Sequence, residues 1–147
     1  MKLHQAVKIE AEEVRTTAGI LDGSTLGKIE IKGKDALTFV NLMYTNSFTK
    51  MKPKMGRYAL MLGEDGMIKD DGIVCKINDQ HFIVTTTTGN AASVLAHMEE
   101  YAQTEWPNLN VYMNSITEQF ATFNLSGPKS RVITVSYTHL TLPTRLL

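Results

Sequence analysis

The stretch Gly63–Ile77, GEDGMIKDDGIVCKI, joins a turn signal to an extended segment carrying two adjacent carboxylates, Asp70 and Asp71. Successive side chains of a strand point to opposite faces, so this pair must split, one acid to each side. An ionised carboxylate is costly to bury without partners. How the neighbouring segments pair with this one therefore decides both the sheet and the surroundings of each acid.

The flanking segments Arg57–Leu62 and Phe82–Thr88 read as strands, with Asp65-Gly66 and Asn78-Asp79 as the turn signals between them. With Asp65 and Gly66 as central turn residues, Leu60 faces Asp71 and Tyr58 faces Ile73. Tyr58 is then a diagonal neighbour of Asp71, about 7–8 Å away between backbones. With Asn78 and Asp79 central in the second turn, Asp71 faces Thr86. Asp71, Tyr58 and Thr86 are thus expected on one face, together with Leu60, Ile73, Cys75 and Val84. A three-residue loop at either turn would reverse a strand's parity. An acid in that company can serve as a hydrogen-bond acceptor or proton shuttle, or can be purely structural. Asp70 points the other way, where capping a bulge or meeting solvent is the expectation.

Working outward, roughly Lys2–Ala18 reads as a helix, Leu26–Gly33 (LGKIEIKG) as a strand and Asp35–Tyr44 as a helix with an apolar stripe. Thr49–Gly56 (TKMKPKMG) is a lysine-studded loop. A helix from Asn90 or Ala91 to about Thr104 places Val94, Leu95, Met98 and Tyr101 on one face, and Trp106-Pro107 ends it. Leu109–Ile116 and Gln119–Leu125 read as strands. Adjacent hairpins with separate helices indicate an α+β fold, an antiparallel or mixed sheet with flanking helices.

The 147 residues suffice for one domain with a sizeable core. Fifteen basic residues balance fifteen acidic ones, so there is no electrostatic case for nucleic acid or an acidic membrane. No apolar run has the length of a membrane span, and the opening MKLHQAVKIEAEEVR is too charged for a signal peptide. The single cysteine, Cys75, fits a reducing, cytoplasmic setting and a packing role. His4, His81, His97 and His139 show no paired metal spacing, so no metal is expected. Ser24, Thr25 and Ser126 lack a nucleophile-elbow context. No GxGxxG signals a dinucleotide site. Lys50, Lys52, Lys54 and Arg57 read first as a solvated surface.

The segments RTTAGILDGSTLGKIEIKGKDALTFVNLMYTN, GRYALMLGEDGMIKDDGIVCKI, FIVTTTTGNAASVLAHMEEYAQTEWPNLNV and SITEQFATFNLSGPKSR together resemble the aminomethyltransferase family of folate-binding domains. Thr85–Thr88 followed by Gly89-Asn90, and the TEWP of Thr104–Pro107, point within it to the branch found in heterotetrameric sarcosine oxidases. The resemblance covers roughly Glu10–Arg131 and implies the N-terminal part of that folate-binding domain over 1–131. It implies that Asp71 is catalytic, contacting the N10 region of tetrahydrofolate, and that Tyr58, Leu26 and Thr86 line the folate pocket. Thr86 stands where aminomethyltransferases carry asparagine.

The implied chemistry is capture of the one-carbon unit of oxidised sarcosine on tetrahydrofolate, giving 5,10-methylenetetrahydrofolate and glycine. Flavin and NAD would belong to the parent complex and its other subunits, and the piece alone is expected to be inactive. The alternatives are part of a glycine-cleavage aminomethyltransferase, or a non-catalytic folate-binding regulator of the same fold. An anionic polyglutamate tail on folate would be the functional reading of the lysine loop. Residues 132–147 (VITVSYTHLTLPTRLL) have no acid and a strand-like composition, and are expected to be a non-native read-through tail.

Overall fold

The computed structural model describes residues 2–139. The chain divides into two compact units, one formed by Ser24–Phe120 and the other by the segments that bracket it. The first is a five-stranded sheet in the order β3-β4-β5-β2-β6, with β2 at Gly27–Lys32, β3 at Met55–Leu62, β4 at Ile68–Asn78, β5 at His81–Thr86 and β6 at Tyr112–Ser115. All its pairings are antiparallel. Helices α2 (Ala36–Met43) and α3 (Ala91–Thr104) supply Phe39, Val40, Val94 and Met98 to a core that also holds Ile29, Ile31, Met61, Val74, Phe82 and Val84. Each large apolar side chain buried there contributes about 1.5–3 kcal/mol. The α3 stripe packs through Val94 and Met98 as read from the sequence, whereas on α2 the packed face is Ala36, Phe39, Val40 and Met43, and Leu42 is 49% exposed.

The bracketing unit contains α1 (Leu3–Thr16), β1 (Gly19–Asp22), β7 (Phe123–Ser126) and α4 (Ser130–His139), with β1 and β7 paired antiparallel. Strand β1 had no sequence signal, because a four-residue strand is too short to display alternation. The expected strand Gln119–Leu125 resolves into a 3-10 turn at Thr117–Gln119 and then β7. Helix α4 falls where the composition is strand-like. Thr134 Oγ1 donates to the carbonyl oxygens of Ser130 and Arg131 at 3.0 Å, so its hydroxyl is satisfied inside the helix. Of the expected tail, residues 140–147 lie outside those described.

The two hairpins depart from the expected turns in different ways. At the first, Glu64, Asp65 and Gly66 form a three-residue loop: the Gly63 N–H donates to the Met67 carbonyl at 2.9 Å, and Gly66 takes the left-handed conformation at φ 77. That loop reverses the parity, but an extra residue, Lys69, is inserted between the Leu62↔Ile68 and Met61↔Asp70 pairs and restores it. Leu60↔Asp71 and Tyr58↔Ile73 therefore pair as expected.

The second turn closes one residue later than expected, with Asn78 opposite His81, and Ile77 is inserted before the Lys76↔Phe82 pair. Val74 then faces Val84 and Cys75 faces Ile83. This shift is not cancelled. Thr86 and Val84 lie on the core face, away from Asp71, and Thr85 is the β5 threonine on Asp71's face, level with Ile73.

Glycine is required at position 72, where a Cβ would stand 1.9 Å from the Thr85 carbonyl oxygen, whereas one at Gly89 would meet nothing within 4 Å. Gly72→Ala is expected to cost about 1–3 kcal/mol through overpacking, and Gly89→Ala less than about 0.5 kcal/mol, as read by urea denaturation. Equal stability of the two variants would show that β4 and β5 do not approach this closely.

Candidate functional site

The face of the sheet away from α2 and α3 presents Tyr58 and Leu60 from β3, Asp71, Ile73 and Cys75 from β4, Ile83 and Thr85 from β5, and Lys28 and Glu30 from β2. Tyr58 is 55% exposed and Asp71 half-buried. The Tyr58 hydroxyl donates to Asp71 Oδ2 at 2.5 Å. Asp71 Oδ1 has no partner among the described residues. The pair is thus an acceptor oriented by a phenol, with one carboxylate oxygen still available.

The partnership shows in the titration of the phenol. Its hydrogen bond to Asp71 pushes the Tyr58 pKa up, with smaller upward contributions from desolvation and from the charges of Asp71 and Asp70. Each favours the neutral phenol.

Asp70 has a different fate. It is 5% exposed. Its Oδ2 accepts the Thr87 N–H at 3.2 Å and its Oδ1 accepts from Asn90 Nδ2 at 3.1 Å. Those bonds fasten β4 to the 3-10 turn Thr88–Asn90 that leads into α3. Burial, and secondarily the Asp70 charge, push the Tyr44 phenol well above its ordinary range. Asp70 caps a corner beside the Lys69 bulge rather than meeting solvent.

The other expected pocket residues are divided. Leu26 lies immediately before β2 and is 37% exposed. Thr86 is 1% exposed and its hydroxyl donates to the Thr87 carbonyl at 3.2 Å. Its expected position beside Tyr58 and Asp71 is thus corrected, because the Ile77 bulge moves β5 by one residue. Two residues of the open face carried no functional signal in the sequence. Thr85 Oγ1 accepts the Ile73 N–H at 2.8 Å, replacing a ladder bond two residues from Asp71. Lys28 is buried, and its Nζ donates to the carbonyls of Ser24 at 3.0 Å, Leu26 at 2.9 Å and Thr117 at 3.5 Å. Alternation would have placed Lys28 on this face, but nothing local predicts three carbonyls closing over it.

Cys75 is half-buried, and burial pushes its thiol pKa up, which makes it a poor nucleophile. Among the described residues, no three His, Cys, Asp or Glu side chains converge to hold a metal ion, and no helix is long and apolar enough to cross a membrane. A cavity of about 490 Å³ in the other unit, between α1, β1 and β7, is lined mainly by Ile9, Val14, Ala18, Ile20 and Leu21 with Glu10 and Glu13. Nothing in it reproduces the phenol–carboxylate pair.

Three comparisons bear on this geometry. A family model described as the GCVT N-terminal domain matches residues 1–144. Sarcosine oxidase subunit alpha from Corynebacterium sp. (strain U-96) is 54% identical over 129 residues, 88% of this chain and 13% of its own length. The Rhizobium meliloti protein of the same name is 47% identical over a similar span. Aminomethyltransferase from Anoxybacillus flavithermus is 32% identical over 95% of this chain and 37% of its own. The crystal structure of glycine cleavage system aminomethyltransferase T from Bartonella henselae superimposes with a TM-score of 0.78 at 23% identity, covering 95% of this chain and 36% of that one. That likeness shows the fold. The chain therefore spans about an eighth of the sarcosine oxidase relatives and about a third of the aminomethyltransferases.

The Tyr58–Asp71 bond can be read in solution. Since the folded phenol holds its proton above the unfolded value near 10, the stability from this pair is intact below about pH 10 and is lost as pH rises through the folded pKa. In ¹³C tyrosine NMR, Tyr58 should titrate above the ordinary range, and Asp71→Asn should return it toward that range. An unchanged titration in the variant would show that the hydrogen bond is absent.

Proposed function

The chain belongs to the GCVT N-terminal domain family, and from that premise we propose that it is the folate-binding part of a sarcosine oxidase alpha subunit. The observation that carries this reading is the Tyr58–Asp71 pair, presented on an open sheet face with Asp71 Oδ1 without a partner among the described residues. The higher identity to the sarcosine oxidase subunits than to the aminomethyltransferases favours that parent over a glycine cleavage enzyme.

The residues present suit a reduced pterin. Tyr58 and Ile73 offer exposed flat and aliphatic surface, and Asp71 offers an anionic acceptor for an N–H. Leu26 adds apolar surface at the start of β2. Bound tetrahydrofolate would supply the amine nitrogens that take up a one-carbon unit, yielding the methylene derivative beside glycine.

The role of Asp71 is to accept a proton at Oδ1, since closing a methylene bridge requires an amine nitrogen to lose one. Tyr58 holds the carboxylate in orientation through Oδ2. Thr85 fixes the backbone that carries it, through the Ile73 N–H. The half-apolar face around them limits the competing solvation of the acid. Flavin, NAD, the oxidation of sarcosine and the other subunits belong to the longer parent complex, in a cytoplasmic setting. Thr86 reaches any ligand only through the backbone it helps to fix.

The 147-residue chain alone is expected to bind folinic acid weakly or undetectably and to catalyse nothing. A rise of several degrees in Tm with folinic acid would show that the pocket is more complete than this reading holds. In the longer alpha-subunit polypeptide, Asp71→Asn should depress methylene transfer by about 10²–10⁴-fold while sarcosine oxidation persists. Equal loss of both activities would assign Asp71 to the fold instead.

A further inference from the structure

We propose that Tyr101 is a positioning residue for Asp71: by clasping Glu64 it holds the tip of the β3–β4 hairpin in its wider, bulged form and keeps the Lys69 ammonium off the face on which Asp71 Oδ1 stands open. The catalytic consequence rests on the folate reading above; the placement of Lys69 does not.

The tip is held against its local turn chemistry. Asp65-Gly66 is a dipeptide that favours a two-residue turn. With that turn, Leu62 would face Lys69, and the register beyond it, Leu60↔Asp71, would be the one observed. Two tips are therefore compatible with one sheet: the narrow one, and the observed three-residue loop with Lys69 as the inserted residue. They differ in where Lys69 goes. In the narrow tip it stands two residues from Asp71 on the same face, about 7 Å along the strand, within reach of an extended lysine side chain. In the observed tip it lines a cleft against α3 with Glu64, His97, Glu100 and Tyr101. The two carboxylates there attract its charge.

Helix α3 holds the wider tip from both ends. At its start, Asn90 Nδ2 donates to the Lys69 carbonyl at 3.3 Å, beside the bonds to Asp70 already described. Near its end, the Tyr101 hydroxyl donates to Glu64 Oε1 at 2.7 Å. Packing aims that phenol. Its ring lies 4.5 Å from that of His97 and 5.5 Å from that of Trp106, and Trp106 meets the buried Phe39 edge-on at 5.9 Å. The Trp106 N–H donates to the Tyr101 carbonyl at 2.9 Å, closing the helix over the same residue. Asp65 Oδ1 accepts the Met67 N–H at 3.0 Å and stiffens the loop from within, whereas the Tyr101 bond ties the loop to the helix.

The test compares Tyr101→Phe, Lys69→Gln and the double variant. Tyr101→Phe keeps the ring and its packing and removes the hydroxyl. In NMR of the labelled 147-residue chain, cross-strand NOEs should join Leu62 to Ile68 before substitution and Leu62 to Lys69 in Tyr101→Phe. The Tyr58 phenol should titrate lower in that variant, because a cation beside Asp71 favours the phenolate. In the double variant the NOEs to position 69 should persist while the Tyr58 titration returns to its original place. In the longer alpha-subunit polypeptide, Tyr101→Phe should slow methylene transfer about three- to fivefold, the scale of one exposed ion pair at Asp71. Lys69→Gln alone and the double variant should keep the original rate. Retained Leu62–Ile68 NOEs with an unchanged Tyr58 titration in Tyr101→Phe would overturn the inference, and so would equal slowing in the single and double variants. The folate reading fails separately: methylene transfer that survives Asp71→Asn would sink it and leave the placement of Lys69, read by NOE, standing.

Discussion

The sheet is organised by one inserted residue. Lys69 adds a position to β4 between Leu62↔Ile68 and Met61↔Asp70, and every side chain beyond it changes face relative to an uninterrupted hairpin. Without that insertion the three-residue loop at Glu64–Gly66 would turn Asp71 inward and Asp70 outward. Asp71 would then replace Asp70 as the acid on the core face, opposite Ala59, and Asp70 would lose the Thr87 and Asn90 donors that now satisfy it. The fold, the stability of the α3 corner and the chemistry of the open face all depend on this local correction.

Two chemically identical neighbours are thereby assigned opposite tasks. Asp70 is enclosed and satisfied by a main-chain N–H and a side-chain amide, so its charge is fully committed to joining strand and helix. Asp71 is tethered by one phenol and keeps an oxygen in reserve. A buried carboxylate with complete partners stabilises a junction, whereas a half-buried one with incomplete partners is available to a ligand. Burial and hydrogen bonding, not residue type, distinguish the acid committed to a junction from the acid left partly open.

Much of this was legible in the sequence. The helical stripe of α3 packs as its periodicity indicates and that of α2 does so in most positions, with Leu42 left outside, and the Tyr58–Asp71 neighbourhood follows from the hairpin register. The register survived because the loop and the Lys69 bulge offset one another, a cancellation the sequence does not display. At the second hairpin no second irregularity cancels the Ile77 shift, so Thr86 faces the core and Thr85 the open side. Bulges are set by local backbone twist and by packing of the finished sheet, which a turn dipeptide does not encode. Strand β1 escaped for a related reason: its partner β7 lies a hundred residues away, and its four residues are too few to carry a period.

Lys28 carries a consequence for which substitutions this face can accept. Its ammonium is enclosed by main-chain oxygens from Ser24, Leu26 and Thr117, so a compact, pyramidal donor set on a flexible stem is what the cradle fits. Arginine would bring the same charge as a flat, broad fork, with donors directed in one plane and no tip small enough to sit among three converging carbonyls. The usual exchange of one basic residue for the other is therefore disfavoured here, and the entrance to β2, including Leu26, inherits that intolerance from a side chain turned entirely to main-chain oxygens.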